Sequence, residues 1–387
     1  IRSSLAQVGG ATPIPYALNL TYSLVPGGGH DKRPLQMITN FNGANSGQLM
    51  VPNQNLKPLT STTFEVGLEA RLLNGRLFTD IAVYDRRTTN DIVRASISPA
   101  TGFNHALFNV GEMSNKGLEV LVSGFPVKNR NFSWELSYNI AYNKNKVIKI
   151  TDDLTTIEAD ISVNRYAFIH HPEGKPYSTI MATTGLKDAK GNQVYAADGR
   201  EIASPTLVNM GTGVAPLTTG VTNTFNYKRL SLSFLIDGRF GGKVYSATNL
   251  YGTRMGLHKM TLPGRDGKLT VNGVDNGGNP FSKTFTPDQM WSYYNNWQVL
   301  SEKFVYSSDF VKLRQVIISY SIPVEKISFL KMQSLTVSLV GRNLAILHKE
   351  ADNIDPESTF SNSNAQGFEM FGVPRTRSFG VNLMVKF

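Results

Sequence analysis

Residues 64–86, FEVGLEARLLNGRLFTDIAVYDR, decide the fold because their polarity alternates strictly from one residue to the next. Before the turn, one set of alternate positions is apolar and the other is charged or small: Phe64, Val66, Leu68, Ala70 and Leu72 against Glu65, Gly67, Glu69 and Arg71. A period of two predicts a β-strand with two unlike faces. Asn74-Gly75 is a strong hairpin-turn signal, and the alternation resumes after it from Arg76. We therefore predict a long antiparallel hairpin.

The same alternation recurs along the chain and predicts about ten strands. Outside the first hairpin, the predicted strands are 1–8, 115–125, 134–143, 230–240, 309–322, 335–344 and 379–387. Short turns are expected at 74–75, 128–131, 228–229 and 323–333, and mostly long connections near 10–60, 97–106, 151–210, 244–308 and 345–374. Short periplasmic turns that alternate with long extracellular loops are the plan of an outer-membrane barrel.

The charged face of the first hairpin indicates whether the strands enclose a dry core or a water-filled lumen. Glu65, Glu69 and Arg71 share that face, and burying them together in a dry core would be costly. A water-filled lumen accommodates them, and the apolar face with Trp134 and Tyr138 then faces lipid. We predict an all-β, transmembrane antiparallel barrel with long extracellular loops. A soluble β-sandwich or β-rich binding module is the alternative, although its strands average about five or six residues.

Composition narrows the classes of function. The chain has 387 residues, 18% of them charged, and a formal net charge of +10. Its basic residues are scattered singly, so we do not expect nucleic acid as a partner. The absence of cysteine excludes disulfides and thiolate metal sites. No signal peptide is visible at the start of the sequence, so we expect the chain to begin downstream of the true N-terminus.

The sequence contains no arrangement that predicts catalysis, so an enzyme is not expected. His170 and His171 are adjacent in a predicted loop, where they cannot act together as zinc ligands, and no cofactor is predicted. The acidic cluster 352–357 could bind a structural Ca²⁺ through its oxygens, but it lacks the spacing of an EF-hand loop. A candidate surface for a ligand or a lid protein lies in the longest loop, at Trp291, Tyr293, Tyr294 and Trp297, although packing of the rings within the loop is the stronger interpretation.

Several short motifs, in order, resemble those of SusC/RagA-like TonB-dependent outer-membrane transporters. The stretch from Asn53 to Leu68 is similar to the family's "NPNLKPE…T.S.E.GL" segment, with Gln54 and Leu59 as departures. The other matches are Asn109 to Glu119, Phe132 to Val147, Glu173 to Pro176, Arg265 to Gly267, Ser308 to Arg314, Gly341 to Leu344, Asp355 to Glu357 and the terminal Phe387. Each motif is weak alone, and their common order makes the resemblance specific.

The resemblance implies that residues 1–387 are the C-terminal portion of a 22-stranded barrel in the Gram-negative outer membrane. The family's plug domain and TonB box, which contacts the TonB complex, are expected upstream of this chain. The implied function is import of glycan or peptide nutrients beneath a SusD-like surface lipoprotein. A passive porin and a structural subunit of an envelope complex remain alternatives. The last strand resembles the signal read by the barrel-assembly machinery, through Phe379, Val381, Leu383, Val385 and Phe387.

Overall fold

A computed structural model of the chain describes residues 1–10, 50–51, 53–101, 105–151, 154–159, 166–323, 332–358 and 365–387. Ten long strands form one sheet within these ranges. They are β1 Arg2–Gly10, β2 Leu59–Leu72, β3 Leu77–Ser96, β4 His105–Lys128, β5 Phe132–Lys149, β6 Leu217–Tyr227, β7 Leu230–Phe240, β8 Phe310–Ile322, β9 Ser334–Lys349 and β10 Ser378–Lys386. The short strand Met50–Val51 pairs in parallel with the start of β4. The all-β prediction is confirmed.

The ten strands pair in chain order, and each is antiparallel to the next, with β1 and β10 at the two edges of the sheet. Their register keeps like residues in line. One row across six strands is apolar or small, namely Ala70, Thr79, Val122, Tyr138, Val221 and Ile236. The adjacent row is mostly polar, namely Glu69, Asp80, Leu121, Asn139, Gly220, Asp237 and Lys312.

Among the described residues, no protein layer packs against the apolar face of the sheet. Its side chains are exposed on strand after strand, as at Phe64 (53%), Leu118 (40%) and Leu339 (57%). An exposed apolar surface that continues across ten strands needs a cover other than water, and the hydrocarbon of a bilayer provides it. This face is called the outer face below, and the polar face is called the lumen face. None of the helices in the described ranges is long and apolar enough to span a bilayer.

An aromatic cluster marks the short-turn end of the outer face. The rings of Trp134 and Phe225 stack at 5.8 Å, and Phe234 and Phe132 lie 6.2 and 6.5 Å from Phe225. The Trp134 indole nitrogen donates a hydrogen bond of 3.0 Å to Asn223, so this polar side chain on the outer face is satisfied. Tryptophan and other aromatic rings favour the headgroup level of a membrane. The cluster therefore fits the periplasmic boundary.

Gly117 shows why one strand motif needs glycine. It pairs with Tyr84 on the neighbouring strand, and a β-carbon at position 117 would lie 2.3 Å from the Tyr84 ring. The ring therefore lies over the glycine, and any larger residue would push it away. Asn115 and Gly117, which share the lumen face, thus serve strand packing there.

The turns follow the predicted pattern with one difference in length. Strand β2 ends at Leu72 and β3 begins at Leu77, so the first turn covers residues 73–76 and is longer than Asn74-Gly75 alone. Leu73, Asn74 and Gly75 all have positive φ angles. The turn after β4 lies at 129–131, one residue shorter than the predicted 128–131, and the turn after β6 lies at 228–229 as predicted. The expected turn at 323–333 and the connection 10–60 fall mostly outside the described residues.

The long connections are folded. A four-stranded sheet of Thr156–Glu158, Ala167–Pro172, Thr179–Gly185 and Ala203–Thr212 follows β5. Between β7 and β8 lie helices α1 Ala247–Arg254 and α2 Met290–Asn296 and the hairpin Thr270–Val274 with Pro280–Thr284. A third small sheet joins Lys243–Ser246, Val305–Ser307 and Phe368–Glu369. The 3-10 helices are Pro99–Thr101, Lys259–Thr261, Pro287–Gln289, Trp297–Val299 and Ser301–Phe304.

These elements make a loop layer at the extracellular ends of the strands, with its own hydrophobic core. The central core residues come from three connections: Ile169 and Ile180 from the first, Tyr245, Leu250 and Phe304 from the second, and Phe368 from the third. Each is at most 1% exposed.

Introducing an arginine on either face of one strand tests which face of the sheet meets the lipid. Val122 points to the outer face and the next residue, Ser123, to the lumen face. We expect Val122→Arg to lower the free energy of unfolding by about 2–4 kcal/mol, because arginine at the midplane is exposed to hydrocarbon. Ser123→Arg, the matched control, should change it far less.

The measurement is guanidinium unfolding of the full-length protein in lipid vesicles, with heat-modifiable migration as the criterion of folding. Equal losses in the two variants would contradict the assignment of faces.

Candidate functional site

The lumen face of β1–β5 carries a polar groove. Its volume is about 300 Å³, and Arg2, Asp80, Glu119 and Asn139 contribute its polar lining. The Arg2 guanidinium is 2.7 Å from an Asp80 oxygen and 3.5 Å from a Glu65 oxygen. Fixed charges of both signs on a wide, wet wall can bind the hydroxyl and amide groups of a passing solute.

The most strongly connected polar cluster lies where β7 and β8 meet the loop layer. Lys312 is 5% exposed, and its ammonium donates hydrogen bonds of 2.6 Å to both Asp355 and Glu357. Arg314 forms a bidentate pair with Asp237 at 2.9 and 2.6 Å, and its other amino group is 2.8 Å from Glu357. We call these five residues the ion network. It joins two motifs noted in the sequence, one ending at Arg314 and one beginning at Asp355.

A β-bulge brings the two cations together. The register between β7 and β8 shifts between Leu235, which pairs with Gln315, and Ile236, which pairs with Leu313. The extra residue is Arg314, so its side chain can point toward the lumen along with Lys312, the partner of Asp237.

The carboxylate of Glu357 is charged at all ordinary pH values. Burial opposes its ionisation, but hydrogen bonds from Arg314 and Lys312 outweigh burial and lower its pKa to about 2. The acidic cluster 352–357 thus uses two of its carboxylates, Asp355 and Glu357, to bind cationic side chains. No group of three or more metal-ligating side chains occurs in the described part of the chain.

A second set of contacts, besides the ion network, joins β5 to the four-stranded sheet of the loop layer. Asn145 accepts a 2.8 Å hydrogen bond from the backbone of Tyr177, and the backbone of Val147 pairs with Gly174 and Lys175. His171, which lies in the strand Ala167–Pro172 and not in a loop, stacks on Tyr177 with the ring centroids 4.0 Å apart. A cavity of about 30 Å³ beside them is too small for a sugar or a peptide.

The aromatic stretch of the longest loop divides between core and surface. Tyr293 and Tyr294 are 6% and 4% exposed, and both rings contact the edge of Trp297. The ammonium of Lys303 lies 4.4 Å from the centre of the Trp297 ring. Trp291, by contrast, is 66% exposed. Contact of these residues with a ligand or lid stays a prediction, and Trp291 presents the largest free surface for it.

The residues of the expected assembly signal lie on or beside the edge strand β10. Phe379, Val381, Leu383 and Val385 alternate along its outer face in register with β9. Phe379 and Phe387 are each 77% exposed. Recognition by the assembly machinery stays a prediction.

Comparison with known proteins decides the family. The model of the TonB dependent receptor-like β-barrel matches residues 15–264, which is more than half of the chain. The chain belongs to this family. It is therefore part of an outer-membrane barrel, as the resemblance implied.

Individual relatives agree with this assignment. TonB-dependent receptor P26 of Formosa agariphila is 27% identical over 87% of this chain and 35% of its own length. TonB-dependent receptor SusC of Bacteroides thetaiotaomicron is 22% identical over 70% of this chain and 26% of its own length. The chain thus spans about a quarter to a third of the length of these relatives.

Solved structures show the same fold. The RagAB peptide transporter aligns with 98% of this chain and 40% of its own, with a TM-score of 0.69 and 17% identity. The open-open state of the RagAB peptide importer aligns with the whole chain at a TM-score of 0.70 and 16% identity. Some ten strands of the family's barrel wall are therefore present here.

Removing the central cation tests the ion network. Lys312→Met leaves Asp355 and Glu357 buried with less positive charge, and breaking a buried ion pair in this way costs about 3–5 kcal/mol. We expect faster amide hydrogen exchange across 350–358 in the purified full-length protein.

The control is Lys268→Met, because Lys268 is exposed and its partner Asp266 is 3.7 Å away. Equal exchange in the two variants would show that the ion network does not hold this loop.

The loop layer should weaken in acid because of His171. Burial, with a smaller contribution from His170, lowers its pKa to about 4. Between pH 6.5 and about 4 the unfolded layer binds more protons than the folded one, so stability is complete above 6.5 and falls by about 3 kcal/mol toward pH 4. Hydrogen exchange of residues 166–185 against pH measures this slope.

His171→Phe keeps a ring to stack on Tyr177 and should remove the larger part of the slope. The remainder belongs to His170, whose pKa is also lowered by burial. The same change at the exposed His348 should leave it intact. A slope that is undiminished in His171→Phe would assign the effect to another group.

Proposed function

We propose that the full-length protein imports a nutrient, a glycan or a peptide, across the outer membrane with energy from TonB. The observation that carries the proposal is membership of the TonB-dependent receptor barrel family together with an in-register polar lumen face. A polar wall suits the passage of hydroxyl- and amide-rich solutes, because it offers them hydrogen bonds in place of water.

The energy-coupling parts belong to the upstream sequence in this proposal. A plug domain would close the lumen, and a TonB-contacting segment before it would transmit the force that displaces the plug. The present chain would supply the wall along which the solute moves and the loop layer that surrounds the entrance. Its charged groove, with Arg2 and Asp80, would line part of the route.

A surface lipoprotein of the SusD type would cover the entrance and hold the solute before transport. The loop layer supports this role because its core makes it a firm platform. Exposed apolar side chains on that platform, such as Leu257 (83%), Trp291 (66%) and Val373 (84%), are candidates for contact with the lid.

The test is growth of a deletion strain on defined oligosaccharides or on defined peptides as the sole carbon source. Full-length protein should restore uptake, and the same protein without its upstream TonB-contacting segment should not, although both reach the outer membrane in equal amounts. A strain without TonB should behave like the truncated protein.

Uptake that continues without TonB would show a passive porin. If no solute is taken up and other envelope proteins are lost from the membrane of the deletion strain, the barrel is a structural subunit.

A further inference from the structure

In the motif Asn143-Lys144-Asn145-Lys146-Val147, alternate residues point to opposite faces of β5. The residues on the lumen face contact other parts of the fold. Asn143 donates a 3.1 Å hydrogen bond to Asn115, Asn145 caps the Tyr177 backbone, and Val147 is 6% exposed. Residues at the alternate positions of a strand point the other way. Lys144 and Lys146 therefore project from the outer face.

Register places these lysines just above the apolar band. Tyr142 pairs with Leu118 on the outer face, and one step toward the extracellular end Lys144 pairs with Lys116. Tyr142 and Leu118 are 43% and 40% exposed, as lipid-facing residues are. Lys146 follows about 7 Å farther along the same face of β5. The lysines thus stand where headgroups of the outer leaflet begin.

The charges around them do not balance. Lys116 is 2.8 Å from Asp85, and Arg87 is 3.0 Å from Glu112, so each of these cations has its own carboxylate. Neither Lys144 nor Lys146 has a carboxylate partner within the described residues. Two lysines directly opposite one another, 116 and 144, also repel, and an anion between them would relieve the repulsion.

The lysines at the other end of the barrel wall differ. Lys128 lies 4.6 Å from the centre of the Phe125 ring, and Lys228 lies 5.4 Å from that of Tyr227. Each cation is thus stabilised by an aromatic face of its own strand. The contrast indicates that Lys144 and Lys146 are arranged for a partner outside the protein.

We infer that Lys144 and Lys146, with Lys116 beside them, bind the phosphate groups of an anionic lipid in the outer leaflet. The acyl chains of that lipid would lie on Leu118, Tyr142 and the apolar residues below them. A lipid is favoured over another protein because the cations continue directly into the lipid-facing band. The ammonium groups would donate charge-assisted hydrogen bonds to phosphate oxygens.

Lipid binding at this site does not depend on which solute the protein transports, since the site faces away from the lumen. Anchoring a lipid here would fix the depth of β4 and β5 in the membrane. The opposite side of β5 carries Asn145, which accepts a hydrogen bond from the backbone of Tyr177 in the loop layer.

The experiment compares two double variants of the full-length protein in detergent. Lys144→Gln with Lys146→Gln removes the site, and Lys128→Gln with Lys228→Gln is the matched control at the periplasmic end. Each protein is titrated with phosphorylated lipid A and with its dephosphorylated form, and bound lipid is counted by native mass spectrometry. Heat-modifiable migration verifies that each variant is folded.

We expect wild type and control to bind the phosphorylated lipid alike. The Lys144/Lys146 variant should bind it about twenty-five-fold more weakly, since each lysine near an anionic headgroup contributes about fivefold. The dephosphorylated lipid should bind all three proteins equally weakly. An excess of inorganic phosphate should not displace the lipid.

Equal binding of the phosphorylated lipid by both double variants would overturn the assignment. Displacement of the lipid by an excess of inorganic phosphate would also overturn it, because the site would then take phosphate without a membrane lipid.

Discussion

The structure depends on one constraint, which is that backbone N–H and C=O groups inside a bilayer must find partners within the protein. A meander of ten antiparallel strands meets it for every interior strand, since each pairs on both sides. Once the backbone is paired in this way, the side chains have only two directions, toward lipid and toward water. The alternating polarity of residues 64–86 reflects these two directions. Only β1 and β10 keep an unpaired side, and in the family's complete barrel these edges meet further strands.

The structure depends, second, on the ion network, because this network fixes the loop layer to the barrel strands. Three carboxylates meet two cations at the extracellular ends of β7 and β8, and Arg375, 3.9 Å from Glu357, adds a third positive charge at the rim. Charges so deeply buried persist only when each has a partner. The lumen side is where such a cluster can form, since the outer side of the same strands faces hydrocarbon. The network therefore lies on the lumen side, and its charges occur in pairs, because the other face of the strands meets hydrocarbon.

Strands could be predicted from the sequence because their polarity is a local property. The prediction for 230–240 coincides with Leu230–Phe240, and that for 309–322 differs from Phe310–Ile322 by one residue. The first turn is longer than predicted, because Leu73 adopts a positive φ that Asn and Gly adopt more readily. The family's motifs were also readable, since their order survives where each one alone is weak.

What the sequence could not show depends on contacts between distant segments. Trp291 and Tyr293 are two residues apart and similar in chemistry, yet one is exposed and the other is buried in a core completed by Phe285 and Tyr195. In the same way, nothing local pairs Lys312 with carboxylates more than forty residues away. The Gly- and Asn-rich composition of these connections indicated loops, and their packed interior became visible only in three dimensions.

The short parallel pairing of Lys243–Ser246 with Phe368–Glu369 has a consequence for the order of folding. These segments are more than 120 residues apart in the chain, and β8, β9 and their turn lie between them. Contacts of such sequence separation carry a large loop-closure entropy until the intervening chain is ordered. This pairing therefore forms after the strands between the two segments are ordered. A nascent chain with a wall in the wrong register would be left with Tyr245 and Phe368 exposed to water, and such a surface is one that quality-control proteases can recognise.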